Sequence, residues 1–228
     1  MNEGIELLDE LYGLLGELAR RTGGPRTLGS CTGRDGWPKR GVYFFFEPGE
    51  IRSDGSLRVV RVGTHGLTAG TKSTLWGRLS QHRGQATGKG NHRGSVFRLH
   101  VGAALSARSD VVPVGTWGQR SSAPRDVREA EAAIEQAVSA HLGAMGVLWV
   151  PVDDEPGASS DRGRIEAGAI AALSRLSNPA ADPPSPGWLG NHAARPAIRG
   201  SGLWNVNHVD GPLTQDFLPV LARWIAAA

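Results

Sequence analysis

The chain has one cysteine, Cys31, among its 228 residues. No internal disulfide and no cysteine-based zinc site can be built from it, and the thiol reads as an ordinary one in a reducing compartment. Long apolar runs are missing too: none approaches the ~20 residues that a bilayer-spanning helix needs. The start, Met1-Asn2-Glu3-Gly4, lacks a basic segment leading into an apolar one, so the expected location is the cytoplasm, with no membrane partner. Lysine is scarce. Among 25 basic residues only Lys39, Lys72 and Lys89 are lysine, and the formal net charge is +3. Arginine's planar fork suits phosphate oxygens, which points to a polyanionic partner; a coding bias toward Arg, Ala and Gly explains the same composition equally well. Hydrophobic content is only 39%, with 32 Gly and 14 Pro, but the apolar residues fall in periodic runs. One large domain, or one domain with an insertion, fits this length.

Residues 4–21 read as an amphipathic helix, with Ile5, Leu8, Leu11, Leu14, Leu15 and Leu18 on one stripe and Gly23-Gly24-Pro25 as the stop. The run Gly41-Val42-Tyr43-Phe44-Phe45-Phe46 is strongly β-prone, and Leu57 to Gly63 predicts a second strand, antiparallel to the first across turns at Pro48-Gly49 and Asp54-Gly55. Ser73 is a suitable N-cap for a helix from Thr74 to His82. Residues 83–95 read as an exposed, mobile basic loop, Val96 to Val101 as a half-buried strand, and Pro124 to Leu142 as a long helix. Val147 to Val152 is a core strand, and a helix from Ile165 to Leu176 carries Glu166 near its start. The expected class is α/β (α+β): a small mixed three-stranded sheet flanked by helices, with an inserted strand and helix over 83–146, the N-terminal helix, and a C-terminal extension over 179–228.

With these elements in order, the chain resembles the GIY-YIG nuclease superfamily. Gly41-Val42-Tyr43 matches the first motif and Arg61-Val62-Gly63 stands at the second, with arginine in place of its tyrosine. Arg78 lies on the next helix, Glu166 on a later one, and Asn178 twelve residues beyond, while the Arg78-x-x-x-His82 spacing is similar to the restriction-endonuclease branch. The resemblance covers roughly 41–82 and 147–178. It implies a metal-dependent endonuclease on double-stranded DNA, leaving a 5′-phosphate and a 3′-hydroxyl, and, by analogy with restriction enzymes that cut both strands, a homodimer.

The same resemblance implies roles. Tyr43, helped by His82, activates water, Arg78 stabilises charge on the phosphate, Glu166 binds one Mg²⁺ or Mn²⁺, and Asn178 orients, with Asn191 as the fallback. Arg61, His65 and Arg83 are candidate substrate contacts, His65 being a candidate stand-in for the absent phenol. Each residue also has a plain structural reading: Tyr43 as a core aromatic, Arg78 and His82 as solvated charges, Glu166 as a helix-dipole partner, Asn178 as a helix cap before Pro179. His92, Arg93, Arg83 and Lys89 suit either a nucleic-acid backbone or open solvent, Trp188, Trp204 and Trp224 read as packing anchors of the tail, and the polar run Asn205 to Asp210 fits an active-site edge or a turn. The alternative function is a GIY-YIG-like nucleic-acid-binding module that has lost catalysis.

Overall fold

A leucine stripe opens the fold: Leu7, Leu8, Leu11, Leu15 and Leu18 are buried along α1 (Glu3–Thr22). Ile5, expected on that stripe, is exposed, and Leu7 takes its place. The computed structural model describes residues 3–228. A two-residue strand, β1 (Arg26–Thr27), follows in the glycine-rich stretch, then the aromatic strand β2 (Gly41–Ile51) and β3 (Leu57–Gly63). Next come α2 (Leu75–Arg83), α3 (Val96–Ala107), α4 (Arg125–Ala130), α5 (Ala132–Gly143), β4 (Gly146–Pro151), α6 (Asp161–Leu173), α7 (Pro196–Ser201) and α8 (Leu218–Ala226).

Among the described residues the sheet has four strands in the order β1-β4-β2-β3, every pair antiparallel. The class is α+β as expected, but the sheet is neither three-stranded nor mixed: the two-residue β1 adds to β4, and no parallel crossover occurs. Alternation along β2 divides the core. Val42, Phe44 and Phe46 pack with α1, α6 and α8 on one face. Tyr43 and Phe45 face α2, α3 and α5 on the other. Trp188 and Trp204 are buried on this second face, each donating its indole N–H to Glu47 Oε2 at 3.0 Å, so the tail tryptophans are anchors.

The expected inserted strand at 96–101 is a helix. Six residues of alternating polarity also fit one helical face, and Phe97, Val101, Ala104 and Leu105 bury at helical spacing. Ser95 caps this helix, accepting from the Arg98 amide at 3.3 Å. The single helix expected over 124–142 is interrupted at Glu131, whose buried carboxylate accepts from Arg93 at 2.6 and 2.8 Å. The exposed basic loop expected at 83–95 is a third correction. His92 is buried against Glu135, and Arg93 is paired with Glu131, although Lys89 remains exposed. Among the described residues no helix is long and apolar enough to cross a membrane.

Candidate active site

Tyr43 lies in the middle strand pair, opposite Gly63 on β3 and Trp149 on β4. Its side chain is held edge-on to Phe45 (centroids 5.5 Å apart, 77°), and its oxygen is 2.9 Å from His82 Nε2. His82 reaches inward from the last turn of α2, and its Nδ1 is 2.8 Å from Ser95 Oγ at the head of α3. Tyr43, His82 and Ser95 are all nearly inaccessible to solvent. The closing glycine of the second motif acquires a physical reason here. A Cβ on Gly63 would lie 2.4 Å from Tyr43 Oη, so only glycine leaves room for the phenol across the strand pair. Burial first, then the charges of Arg61, Arg78 and Arg98, hold the His82 pKa well below the usual imidazole range.

Arg61 pairs with Phe45 and so shares the face of Tyr43. Its Nη1 donates to the Trp204 carbonyl at 2.8 Å, its guanidinium sits 4.7 Å from the Phe97 ring centre, and its buried Nε has no acceptor among the described residues. Burial lowers its pKa, and Tyr43, Arg78 and Glu166 all lie within its electrostatic reach.

In front of this buried group is a cleft of ≈ 370 Å³, lined in part by Thr64, His65, Ser73, Arg78, Gln81 and Glu166. Thr64 follows β3 directly and joins the pieces. Its hydroxyl donates to the Gly41 carbonyl at 2.8 Å, and its amide donates to Glu166 Oε1 at 3.0 Å. Glu166 is half-buried, and its pKa is raised, chiefly by burial; the Thr64 amide, Arg61, His208 and Arg78 pull the other way. Arg78 Nη1 contacts Gln81 Oε1 at 3.2 Å and the Gly94 carbonyl at 3.4 Å. His65 Nδ1 is 3.3 Å from Ser73 Oγ, while its buried Nε2 is without a partner among the described residues. A model of the GIY-YIG domain matches residues 2–228. The chain belongs to the GIY-YIG domain family. Comparison with curated proteins and with solved structures finds no match.

Membership brings nuclease activity in general, and nucleic acid as its object, into view. The match also runs through the N-terminal helix, the 83–146 segment and the C-terminal extension, which lie outside the motif-bearing stretches. In this GIY-YIG chain Arg78, His65 and Glu166 share the cleft, with the Tyr43–His82 pair and Arg61 buried behind it. Two expected site residues stand elsewhere. Asn178 is buried, donating to the Gly4 and Ala172 carbonyls at 3.0 Å each and accepting from the Ala180 amide; it staples the end of α6 to the start of α1. Arg83 lies over the Trp76 ring at 5.2 Å and donates to the Cys31 and Gly84 carbonyls. The fallback Asn191 holds a turn through the Ser185 and Pro186 carbonyls. Glu166 itself falls in the second turn of α6, which Ser160 caps, rather than at the helix start.

Several participants escape a sequence reading. Asn205 bonds both backbone groups of Val62 (3.1 and 2.8 Å), so the tail runs along β3 and brings His208 within electrostatic reach of Glu166. Arg162, wholly buried and paired with Asp154, donates to the His65 and Gly66 carbonyls and fixes the cleft wall. Arg162→Met leaves Asp154 without its cation and frees that wall. Loss of one partner of a buried pair costs on the order of 3 kcal/mol, read as a lower urea midpoint together with a raised KM; an unchanged midpoint contradicts this role.

The buried histidines give a pH dependence. His65 and His100 are pushed down to about 4, each mainly by burial, and burial likewise holds His82 well below the usual imidazole range. Folded imidazoles with depressed pKa bind fewer protons than unfolded ones, so their stability contribution is complete above about pH 6.5 and is lost as pH falls toward 4. Denaturation midpoints measured across that window are expected to drop steadily on acidification. A flat profile between pH 6.5 and 4 contradicts the assignment.

Proposed function

We propose that this chain is a metal-dependent endonuclease that hydrolyses DNA phosphodiesters, leaving a 5′-phosphate and a 3′-hydroxyl. One observation carries the reading: Arg78 and Glu166, 88 positions apart in sequence, line a single cleft backed by the hydrogen-bonded Tyr43–His82 pair. Arg78 supplies positive charge to the phosphoryl oxygens as it accumulates in the transition state. Tyr43, oriented by His82, handles the proton of the attacking water. Thr64 orients Glu166 by its amide, and Arg61 adds a fixed positive charge behind both.

The cleft chemistry fits one hard divalent cation, Mg²⁺ or Mn²⁺. Glu166 lines the cleft, and its Oε2 accepts no hydrogen bond among the described residues. Among those residues no group of three or more His, Cys, Asp or Glu is arranged to hold a metal, so water and phosphate oxygens would complete the shell, as Mg²⁺ prefers. When bound, the ion would polarise the phosphate and neutralise charge on the leaving oxygen.

The test is a plasmid assay. Purified protein with Mg²⁺ or Mn²⁺ is expected to nick or linearise supercoiled DNA, with chelator abolishing the activity. Arginine at the second-motif position favours one rival, a binding module without catalysis, and that rival gains if salt-sensitive DNA binding occurs with no cutting under any divalent metal.

A further inference from the structure

The Tyr43–His82 pair is part of a longer chain of contacts: Tyr43 Oη to His82 Nε2 at 2.9 Å, then His82 Nδ1 to Ser95 Oγ at 2.8 Å. Two polarities satisfy this geometry. In one, the phenol donates to Nε2 and the Nδ1–H donates to Ser95. In the other, the Ser95 hydroxyl donates to Nδ1 and the Nε2–H donates to Tyr43. The first strands the serine proton, because the other contact of Ser95 Oγ is with a donor, the Arg98 amide, and no acceptor is in reach among the described residues. A buried unsatisfied donor costs ~1–3 kcal/mol. The second moves the unmatched proton to Tyr43, which is as buried as Ser95, so hydrogen-bond counting alone does not separate the two.

The charges around His82 favour the second polarity. Arg61 on β3, Arg78 on α2 and Arg98 on α3 act on the imidazole, and Arg98 donates to the His82 carbonyl at 2.9 Å. Glu135, the acidic partner of Arg98, is already engaged by Arg98 and His92. A proton passed from Tyr43 to His82 would create a buried cation among three others. His82 is therefore a poor receiver of the phenol proton and a good donor to the phenol oxygen.

We infer that Ser95 is a positioning residue: its hydroxyl donates to Nδ1, fixes His82 as the Nε2–H tautomer, and turns His82 into a hydrogen-bond donor toward Tyr43 rather than its base. The inference rests on the proposed role of Tyr43 for its catalytic meaning, but not for its test. A donor aimed at Oη stabilises negative charge on that oxygen, the form in which a tyrosine accepts a proton from water.

Long-range ¹H–¹⁵N spectra of the histidine side chains report which ring nitrogen carries the proton, with His82 assigned by its loss in His82→Gln. The expected result is a protonated Nε2 and a bare Nδ1, retained in Ser95→Thr. Ser95→Asp keeps an N-cap for α3 but offers only acceptors, and is expected to move the proton to Nδ1 and to lower kcat roughly 10²-fold, the scale of general acid–base contributions, with KM little changed. A wild-type spectrum with Nδ1 protonated, or with imidazolium at pH 7, overturns the inference, as does a Ser95→Asp protein with the wild-type tautomer. If the wild-type protein shows the expected tautomer yet cuts no DNA, the nuclease reading fails and the hydrogen-bond polarity stands.

Discussion

Glu166→Gln is expected to reduce DNA cleavage by ~10³-fold or more, since the several kcal/mol of charge stabilisation supplied through a bound metal would be lost. Glutamine retains an oxygen for the Thr64 amide, now 3.0 Å from Oε1, so the cleft keeps its shape. Stability moves the other way. Burial raises the Glu166 pKa, and a carboxyl so shifted stabilises the fold below its unfolded pKa and ceases to do so as pH rises through the folded value. Above the folded value the carboxyl is a net cost, and Glu166→Gln is expected to melt above the parent protein at alkaline pH in the absence of metal. Loss of activity with a raised Tm separates a functional carboxylate from a structural one; activity at the parental level, or a lowered Tm, contradicts this account.

Gly63→Ala is the second large effect. The added Cβ would stand 2.4, 2.5 and 2.7 Å from Oη, Cζ and Cε2 of Tyr43. The neighbour cannot yield cheaply, because Phe45 packs edge-on to the phenol and His82 holds its oxygen. Overpacking of this kind costs ~1–3 kcal/mol. A displacement near 1 Å at a catalytic group lowers rates by about 10²-fold, so activity should fall together with stability. An alanine variant with parental kcat would show that the phenol is not placed by this contact.

The motif strands were legible because composition and position agree. Gly41 to Phe46 is β-prone, Asp54-Gly55 marks a turn, and Leu57 to Gly63 holds its predicted bounds. The helix α3 was not, since Val96 to Val101 is too short for its alternation to exclude a helix; only the continuation through Ala104 and Leu105, with Ser95 as cap, decides it. That error also hid Ser95, which reads as loop until its helix is recognised. The order Tyr43, Arg78, His82, Glu166 was readable as a family pattern, but the Thr64–Glu166 contact spans 102 positions and has no local signal. Asn178 was assigned to the site by the family resemblance alone; its partners, Gly4 and Ala172, lie on two different helices and have no local signal in the sequence.

The most direct measurement is a crystal structure of the Tyr43→Phe protein with duplex DNA and Mg²⁺. The account predicts a backbone phosphate in the cleft between Arg78 and Glu166, within ordinary hydrogen-bond distance of the Arg78 guanidinium and sharing an ion with the Glu166 carboxylate. DNA bound with its nearest phosphate beyond reach of Arg78, or with the cleft facing away from the duplex, contradicts it.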